Sequence, residues 1–134
     1  MTPHRFTTRV YYEDTDLAGI VYYANYLKFI ERARSDWVAG LGVDQMALKA
    51  GQGIVFAVRR LEADFLRPAK FGDDLVVETA VQSLAGARIV LEQAILRGGE
   101  RLFVAAVTLV CLSVDGHAAR LPADFRARLS ARLH

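Results

Sequence analysis

The stretch from Tyr23 to Leu41 repeats its apolar residues every three or four positions, which is the spacing of one face of an α-helix. Gly40 and Gly42 offer the left-handed conformation in which helices end, so we expect one helix of about 18 residues. The apolar face contains Tyr26, Ile30, Ala33, Trp37 and Leu41. Charged residues lie mainly on the other face, where two pairs have the spacing of ion pairs: Glu31–Arg34 and Arg32–Asp36.

The pattern elsewhere is that of β-strands, with alternating or β-branched segments bounded by glycine, aspartate and proline. Gly51 to Gly53 is predicted to be a loop, and Gly98-Gly99 has the form of a tight hairpin turn. The last long segment is apolar on both faces, so we expect a central or interfacial strand there. The predicted strands are Phe6–Tyr12, Ile54 to near Arg67, Leu75–Leu84, Arg88–Leu96 and Leu102–Val114.

The order of these elements is a strand, one long helix, four long strands and a short tail helix that begins at Pro122. One segregated helix among many strands is typical of α+β proteins with a mostly antiparallel sheet. We therefore expect a single domain over residues 1–134, in which an antiparallel sheet of about five strands wraps around the long helix.

Composition excludes several classes of protein. Hydrophobic residues make up 53% of the chain, and we expect part of this excess to lie in a subunit interface. The net charge of +2 is too small to indicate nucleic-acid binding. The single cysteine, Cys111, excludes an internal disulfide and is expected in the core. No signal peptide is recognisable and no apolar run reaches the roughly 20 residues of a membrane span, so we expect a soluble cytoplasmic protein.

The stretch EDTDLAGIVYYANY, residues 13–26, crowds three carboxylates in front of an apolar helix start. A calcium loop beginning at Asp14 fails, because Ala18 and Asn25 stand where oxygen ligands are needed. A metal site built on Asp14 and Asp16 has no nearby histidine to support it, so no metal is expected. In a third interpretation an aspartate caps a turn through its side chain, which we favour for Asp14.

The fourth interpretation is catalytic and concerns Asp16. This residue precedes a helix start whose free N–H groups, expected near Val21 to Tyr23, point outwards with the positive end of the helix dipole. Gly19 would let the backbone approach a ligand closely. Such donors can hold an oxyanion while a carboxylate attacks a carbonyl or activates water. A carboxylate would have to carry the chemistry, since all three histidines are expected at the surface: His4, His117 and His134.

These residues also carry a family resemblance. The segment RVYYEDTDLAGIVYYANYLKFIERAR resembles the signature of the acyl-CoA thioesterases of the 4-hydroxybenzoyl-CoA thioesterase superfamily, above all its tol-pal-associated, YbgC-type branch. A second segment, ADFLRPAKFGDDLVVET, is similar to that branch's second strand and turn. The resemblance covers nearly the whole chain and implies a hot-dog fold. It also implies homodimers, often joined into tetramers, with active sites at the dimer interface.

The resemblance implies roles for two residues. Asp16 matches the catalytic aspartate of the family, and Tyr23 matches the position whose backbone N–H binds the thioester oxygen. Many tol-pal-type members carry a histidine at that position, so an imidazole is absent here while the backbone donor is kept. We expect hydrolysis of an acyl-CoA thioester to the free acid, with coenzyme A as part of the substrate and no other cofactor. The sequence does not decide whether Asp16 is a nucleophile or a general base.

Other residues are candidates for substrate binding. Tyr22 could line the acyl pocket or belong to the core, Asn25 could orient the acidic loop, and the arginines could meet CoA phosphates or lie on a solvated face. The set is Gly19, Val21, Tyr22, Asn25, Arg59 and Arg67.

Rival functions also remain open. A non-catalytic module that binds acyl-CoA or acyl carrier protein, linked to the tol-pal envelope machinery, is the main alternative. A hot-dog dehydratase would need a histidine within the chain's middle. A nucleic-acid binder would need a basic stripe with interleaved aromatic residues.

Overall fold

An antiparallel five-stranded sheet and one long helix make up most of the chain in a computed structural model, which describes residues 2–133. The strand order in the sheet is β1-β3-β4-β5-β2, and all neighbouring strands are antiparallel. In chain order the elements are β1 (His4–Arg9), a 3-10 turn (Tyr12–Asp14), α1 (Asn25–Gly40), α2 (Gln45–Gln52), β2 (Ile54–Phe65), β3 (Asp74–Ala85), β4 (Arg88–Arg97), β5 (Glu100–Ser113) and α3 (Ala123–Ser130). This is the predicted α+β hot-dog arrangement.

Helix α1 packs its apolar face on one face of the sheet, over β1, β3 and β4. All five residues of the predicted apolar face are buried, and Phe29 and Val38 join them. Cys111 lies in the same core from the side of β5, as expected, and burial raises the pKa of its thiol. The helical period in the sequence therefore predicted both α1 and the surface that it buries.

Helix α2 is missing from the sequence prediction, which placed only a loop at Gly51 to Gly53. The side chain of Asp44 accepts hydrogen bonds from the N–H groups of Met46 and Ala47, at 3.0 and 3.1 Å, and so caps the start of this helix. Gly53 ends it in the left-handed conformation, with φ of 65°. An aspartate followed by helix formers was the available signal.

Two further predictions need correction. The first strand ends at Arg9 rather than Tyr12, because the chain turns into the 3-10 turn before the acidic loop. The predicted ion pairs on α1 are also wrong, since tertiary partners take their arginine and aspartate. Arg34 donates to Gln93 of β4 at 3.0 Å, and Asp36 meets His4 of β1 at 2.9 Å.

The exposure of the histidines is only partly as expected. His117 is exposed, whereas His4 is half-buried between β1 and α1. His134 lies outside the described residues. No helix within residues 2–133 is long and apolar enough to cross a membrane.

One cross-strand row under α1 matters for the site. It runs from His4 through Thr79, Gln93 and Ala105 to Ala63, so it joins all five strands on their helix-facing side. Three polar side chains at the β1 end give way to two alanines at the β2 end. The row therefore has a polar half beneath the helix and a small, apolar half beside it.

Candidate active site

Asp14 organises the acidic loop. Its carboxylate accepts a hydrogen bond from the N–H of Tyr11 at 2.8 Å, which caps the 3-10 turn. Its carbonyl oxygen accepts from the side-chain amide of Asn25 at 3.0 Å and from the N–H of Tyr22 at 2.9 Å. The turn-capping interpretation of Asp14 is therefore confirmed, and Asn25 does orient the loop, through a backbone carbonyl.

Asp16 lies two residues further on and is left exposed. One of its carboxylate oxygens accepts from the N–H of Ala18 at 2.9 Å, which fixes the side chain. The other oxygen has no hydrogen-bond partner within residues 2–133. A carboxylate with one oxygen held by a hydrogen bond and the other oxygen free can act as a nucleophile or as a general base.

Gly19 closes the tight turn that holds Asp16. Its N–H donates to the carbonyl of Asp16 at 3.0 Å, and its φ of 79° lies in the region that side chains rarely adopt. A Cβ at Gly19 would meet open space, so the requirement for glycine here comes from the turn itself and not from crowding. Gly19 thereby closes the turn in which the N–H of Ala18 holds the Asp16 carboxylate.

The donors at the helix start differ from the expected set. The N–H of Val21 donates to the carbonyl of Ala69 at 2.9 Å, and the N–H of Tyr22 is taken by Asp14, so the expectation that these two groups are free is wrong. The side chain of Val21 is also buried in the core. The N–H groups of Tyr23 and Ala24 donate to no acceptor within residues 2–133.

Ala24 is the first residue of the helix boundary and carries no capping side chain. The positive end of the α1 dipole therefore faces solvent without a side-chain oxygen in front of it. The sequence reasoning did not include Ala24, although the signal was present. Helix starts usually carry serine, threonine, aspartate or asparagine at this position, and the alanine here departs from that preference.

A second segment supports the loop from below. The hydroxyl of Tyr26 accepts from the N–H of Ala69 at 3.0 Å in the core. Ile20 forms an isolated antiparallel bridge with Lys70, next to the bond between Val21 and Ala69. The acidic loop is thus held between the start of α1 and residues 69–70.

Most aromatic residues near the loop are exposed. Tyr23 is 63% exposed, and its ring lies 6.2 Å from that of Phe65 at the end of β2, which is 52% exposed. Tyr11, Tyr12 and Tyr22 are exposed as well, so they are outside the core. The apolar surroundings expected around Asp16 are therefore incomplete in a single chain, and an apolar surface runs from the loop to β2.

The basic residues expected to bind the phosphates of coenzyme A differ in their ion pairs. Arg67 is engaged with Glu100 through its Nε at 3.1 Å, whereas Arg59 is exposed on β2 and forms no ion pair within residues 2–133. Lys70 is exposed beside the loop. The structure thus brings Asp16, Gly19, Asn25 and Tyr23 together, while Arg59 lies on β2 and Arg67 lies in the bend after it.

Comparison with known proteins identifies the family of this chain. A model of the thioesterase superfamily matches residues 18–104. The acyl-CoA thioesterase YbgC of Haemophilus influenzae is 39% identical over 129 residues, which are 96% of this chain and 93% of that protein. The 1,4-dihydroxy-2-naphthoyl-CoA hydrolase of Thermosynechococcus vestitus is 35% identical over 123 residues, which are 90% of this chain and 84% of that protein.

The crystal structure of a probable thioesterase from Bartonella henselae is 38% identical and superposes with a TM-score of 0.81, covering 91% of this chain and 100% of that one. The predicted hot-dog fold and the resemblance carried by residues 9–34 are both confirmed by these comparisons. The chain belongs to the thioesterase superfamily.

Proposed function

We propose that the protein is an acyl-CoA thioesterase that hydrolyses its substrate to a free acid and coenzyme A. One observation carries this proposal: the open carboxylate oxygen of Asp16 lies in the loop that leads into an uncapped helix start, where the N–H groups of Tyr23 and Ala24 are free. Relatives named as acyl-CoA thioesterases support the choice of substrate.

The N–H groups of Tyr23 and Ala24 would receive the carbonyl oxygen of the thioester. As the carbonyl carbon becomes tetrahedral, negative charge develops on that oxygen, and the two donors together with the helix dipole stabilise it. Removing one such donor typically costs about 3–4 kcal/mol of transition-state stabilisation. These donors require no side chain at Tyr23, so a tyrosine can stand at this position and keep the backbone donor.

Asp16 would act in one of two ways. As a nucleophile, its oxygen bonds to the carbonyl carbon, the C–S bond breaks, and water then cleaves the resulting anhydride. As a general base, it takes a proton from a water that attacks the carbon directly. In both routes the thiolate of coenzyme A leaves and is protonated by solvent, so no metal or further cofactor is needed.

A second copy of the chain would complete the site. Support comes from the exposed apolar surface between the acidic loop and β2, and from β2 itself, which is an edge strand with one unpaired side. Pairing of two β2 strands would join two sheets and cover both sites. The proposal leaves the choice between a homodimer and a homotetramer open.

Arg59, Arg67 and Lys70 are proposed to meet the phosphates of coenzyme A, since Arg67 and Lys70 are exposed just after β2 and Arg59 is exposed on that strand. Acyl carrier protein as an alternative carrier, a cytoplasmic location and a link to the tol-pal machinery belong to the same proposal. They rest on the resemblance to the YbgC-type branch.

Hydrolysis of an acyl-CoA panel by the wild type, Asp16→Asn and Asp124→Asn tests the proposal. Asp124 is an exposed aspartate on α3 and serves as the matched control. We expect Asp16→Asn to lose about a hundredfold or more in kcat, because a positioned acid–base group contributes at least that much, while Asp124→Asn keeps its rate. Release of coenzyme A can be followed with a thiol reagent, because Cys111 is fully buried.

A wild type no faster than the enzyme-free blank on every thioester would contradict the proposal. Equal rates for the wild type and Asp16→Asn would contradict the role of the carboxylate. If acyl-CoA binds tightly to both proteins without turnover, the non-catalytic binding module becomes the better description.

A further inference from the structure

A half-buried arginine lies further along α1 on the side of the proposed site. Arg34 donates from Nη1 to the side-chain oxygen of Gln93 at 3.0 Å. Gln93 is fully buried, and its amide nitrogen donates to the carbonyl of Ile30 at 3.0 Å and to Thr79 at 2.9 Å. Both N–H groups of the Gln93 amide are therefore bonded, and its oxygen holds the guanidinium in place.

No carboxylate within residues 2–133 forms an ion pair with Arg34. Burial lowers the pKa of Arg34, and the nearby charge of Glu31 opposes that shift. The Glu31 carboxylate itself accepts a hydrogen bond from Ser35. Partly buried charges are usually paired, so the guanidinium has unused capacity for an anion.

The orientation of α1 places Arg34 on the flank that faces β5 and β2. At about 100° per residue, Arg34 and Leu27 lie only about 20° apart around the helix axis. Asp36 lies on the opposite flank, where it contacts His4 of β1. The Tyr23 ring, just before α1, contacts Phe65 of β2 and so belongs to the flank of Arg34.

The surface between the helix start and Arg34 is mainly apolar, with the exposed Glu31 at its outer margin, one turn before Arg34. Leu27 is 39% exposed on the helix, and Phe65 and Leu61 are exposed along β2. The alanine half of the cross-strand row, Ala105 and Ala63, continues from Gln93 towards β2 at the level of Arg34. An acyl chain that leaves the Tyr23 N–H group along this flank would follow apolar side chains and end at the guanidinium.

The distance limits the length of that chain. Ile30 follows Tyr23 by seven residues, which is roughly 10 Å along a helix axis, and the Gln93 amide that holds Arg34 is bonded to the Ile30 carbonyl. After allowance for a hydrogen bond at each end, the space suits a short acyl chain.

We propose, on the basis of the proposed function, that Arg34 selects acyl groups that end in a carboxylate. The substrate class is the monothioester of a short dicarboxylic acid with coenzyme A. The apolar middle of the acyl chain lies against Leu27 and Ala63, and its distal carboxylate accepts hydrogen bonds from the free N–H groups of Arg34. A planar guanidinium suits this contact because it can donate to both carboxylate oxygens.

The test compares adipoyl-CoA with hexanoyl-CoA, which have equal carbon numbers and differ in the terminal carboxylate. We expect the wild type to favour adipoyl-CoA in kcat/KM, and Arg34→Met to lower that preference at least about tenfold by losing only the adipoyl rate. Arg34→Lys, which keeps a charged donor for Gln93, should fall between them. Arg32→Met is the matched control, because Arg32 is an exposed arginine of the same helix.

The ratio of the two substrates within one variant cancels any general loss of folded enzyme. A wild type that prefers hexanoyl-CoA, or a preference unchanged in Arg34→Met, would overturn the role of Arg34 and leave the thioesterase proposal intact. Failure of the wild type to hydrolyse either thioester or any other acyl-CoA would overturn both proposals together.

Discussion

The two edges of the sheet are built differently. The β1 edge carries charged side chains that pair with β3, since Arg5 meets Glu78 at 2.7 Å and Arg9 meets Asp74 at 3.0 Å. The β2 edge also carries an exposed ion pair, between Arg60 and Glu62, but it adds exposed apolar side chains on its helix-facing side: Val58, Leu61 and Phe65. The β2 edge lies beside the start of α1, through the contact between Phe65 and Tyr23.

This difference indicates which edge of the sheet is better suited to pair with a strand of a second chain. Charged residues hinder pairing with a second chain on either edge, because the incoming strand would have to bury them, so the apolar side chains make the difference. Apolar side chains gain from the same event, at about 25 cal/mol for each Å² removed from water. The edge at which we propose that a partner binds is thus also the edge at which the proposed site is incomplete.

The largest expected effect comes from placing a charge on the β2 edge. Val58→Glu should dissociate the proposed oligomer and lower kcat/KM at least about a hundredfold, because an unpaired carboxylate in an apolar interface costs several kcal/mol. Sedimentation velocity and acyl-CoA hydrolysis measure the two effects. Val58 is 48% exposed in the single chain, so the substitution itself is compatible with folding.

Thr7→Glu on β1 is the matched control, since Thr7 is an exposed β-branched residue on the other edge. It should leave both the sedimentation coefficient and the rate unchanged. If the two variants behave alike, the two edges do not differ in the way proposed.

An intermediate effect is expected for the ion pair between Arg97 and Asp73, which is partly shielded from solvent. Arg97 donates to Asp73 at 2.7 Å, and the N–H of Lys70 donates to the same carboxylate oxygen at 2.8 Å. Burial opposes ionisation of Asp73, but these bonds and the Arg97 charge outweigh it and lower the pKa of Asp73. This pair lies just beyond the residues that support the acidic loop.

Because the pKa of Asp73 is lowered by folding, its stabilising contribution is present at neutral pH and disappears as the pH falls through that lowered pKa. Arg97→Met should therefore lower the free energy of unfolding by about 0.5–1 kcal/mol at pH 7. The difference from the wild type should shrink in acid, where the carboxylate is protonated. Urea denaturation at pH 7 and near pH 3 measures this, and an equal difference at both would contradict the assignment.

The smallest effect is expected on the β1 edge itself. Arg5→Ala removes an exposed ion pair, which is worth about 0.5 kcal/mol or less because solvent screens it. The oligomeric state should not change, since the proposed assembly does not use this edge. A thermal unfolding scan and sedimentation measurement check both points, and dissociation of the oligomer would contradict the comparison of the edges.

The sequence was sufficient for those parts of the molecule that local patterns determine. The period from Tyr26 to Leu41 predicted α1 and its buried face, and the alternating segments predicted the strands to within a few residues. The acidic loop was recognised because Asp16 and Gly19 lie in one short motif. Each of these features depends on neighbours that are close along the chain.

Features that depend on distant residues could not be predicted in this way. Arg34 had a local partner at helical spacing, yet its bond goes to Gln93, a residue 59 positions away. The N–H of Val21 was expected to be free, and only the approach of Ala69 uses it. The exposure of the tyrosines likewise follows from tertiary packing, because their strand-like pattern alone indicated a core.

Ala24 has a consequence for how far this fold can be stabilised. A serine or aspartate at that position would strengthen the start of α1 by about 1 kcal/mol. Its oxygen, however, would lie at the N-terminus of α1 and would repel a negatively charged oxygen that binds at the same place. Selection for thermal stability should therefore favour a capping side chain at Ala24. Selection for catalytic turnover should reject it, so the alanine reflects a trade-off between stability and activity.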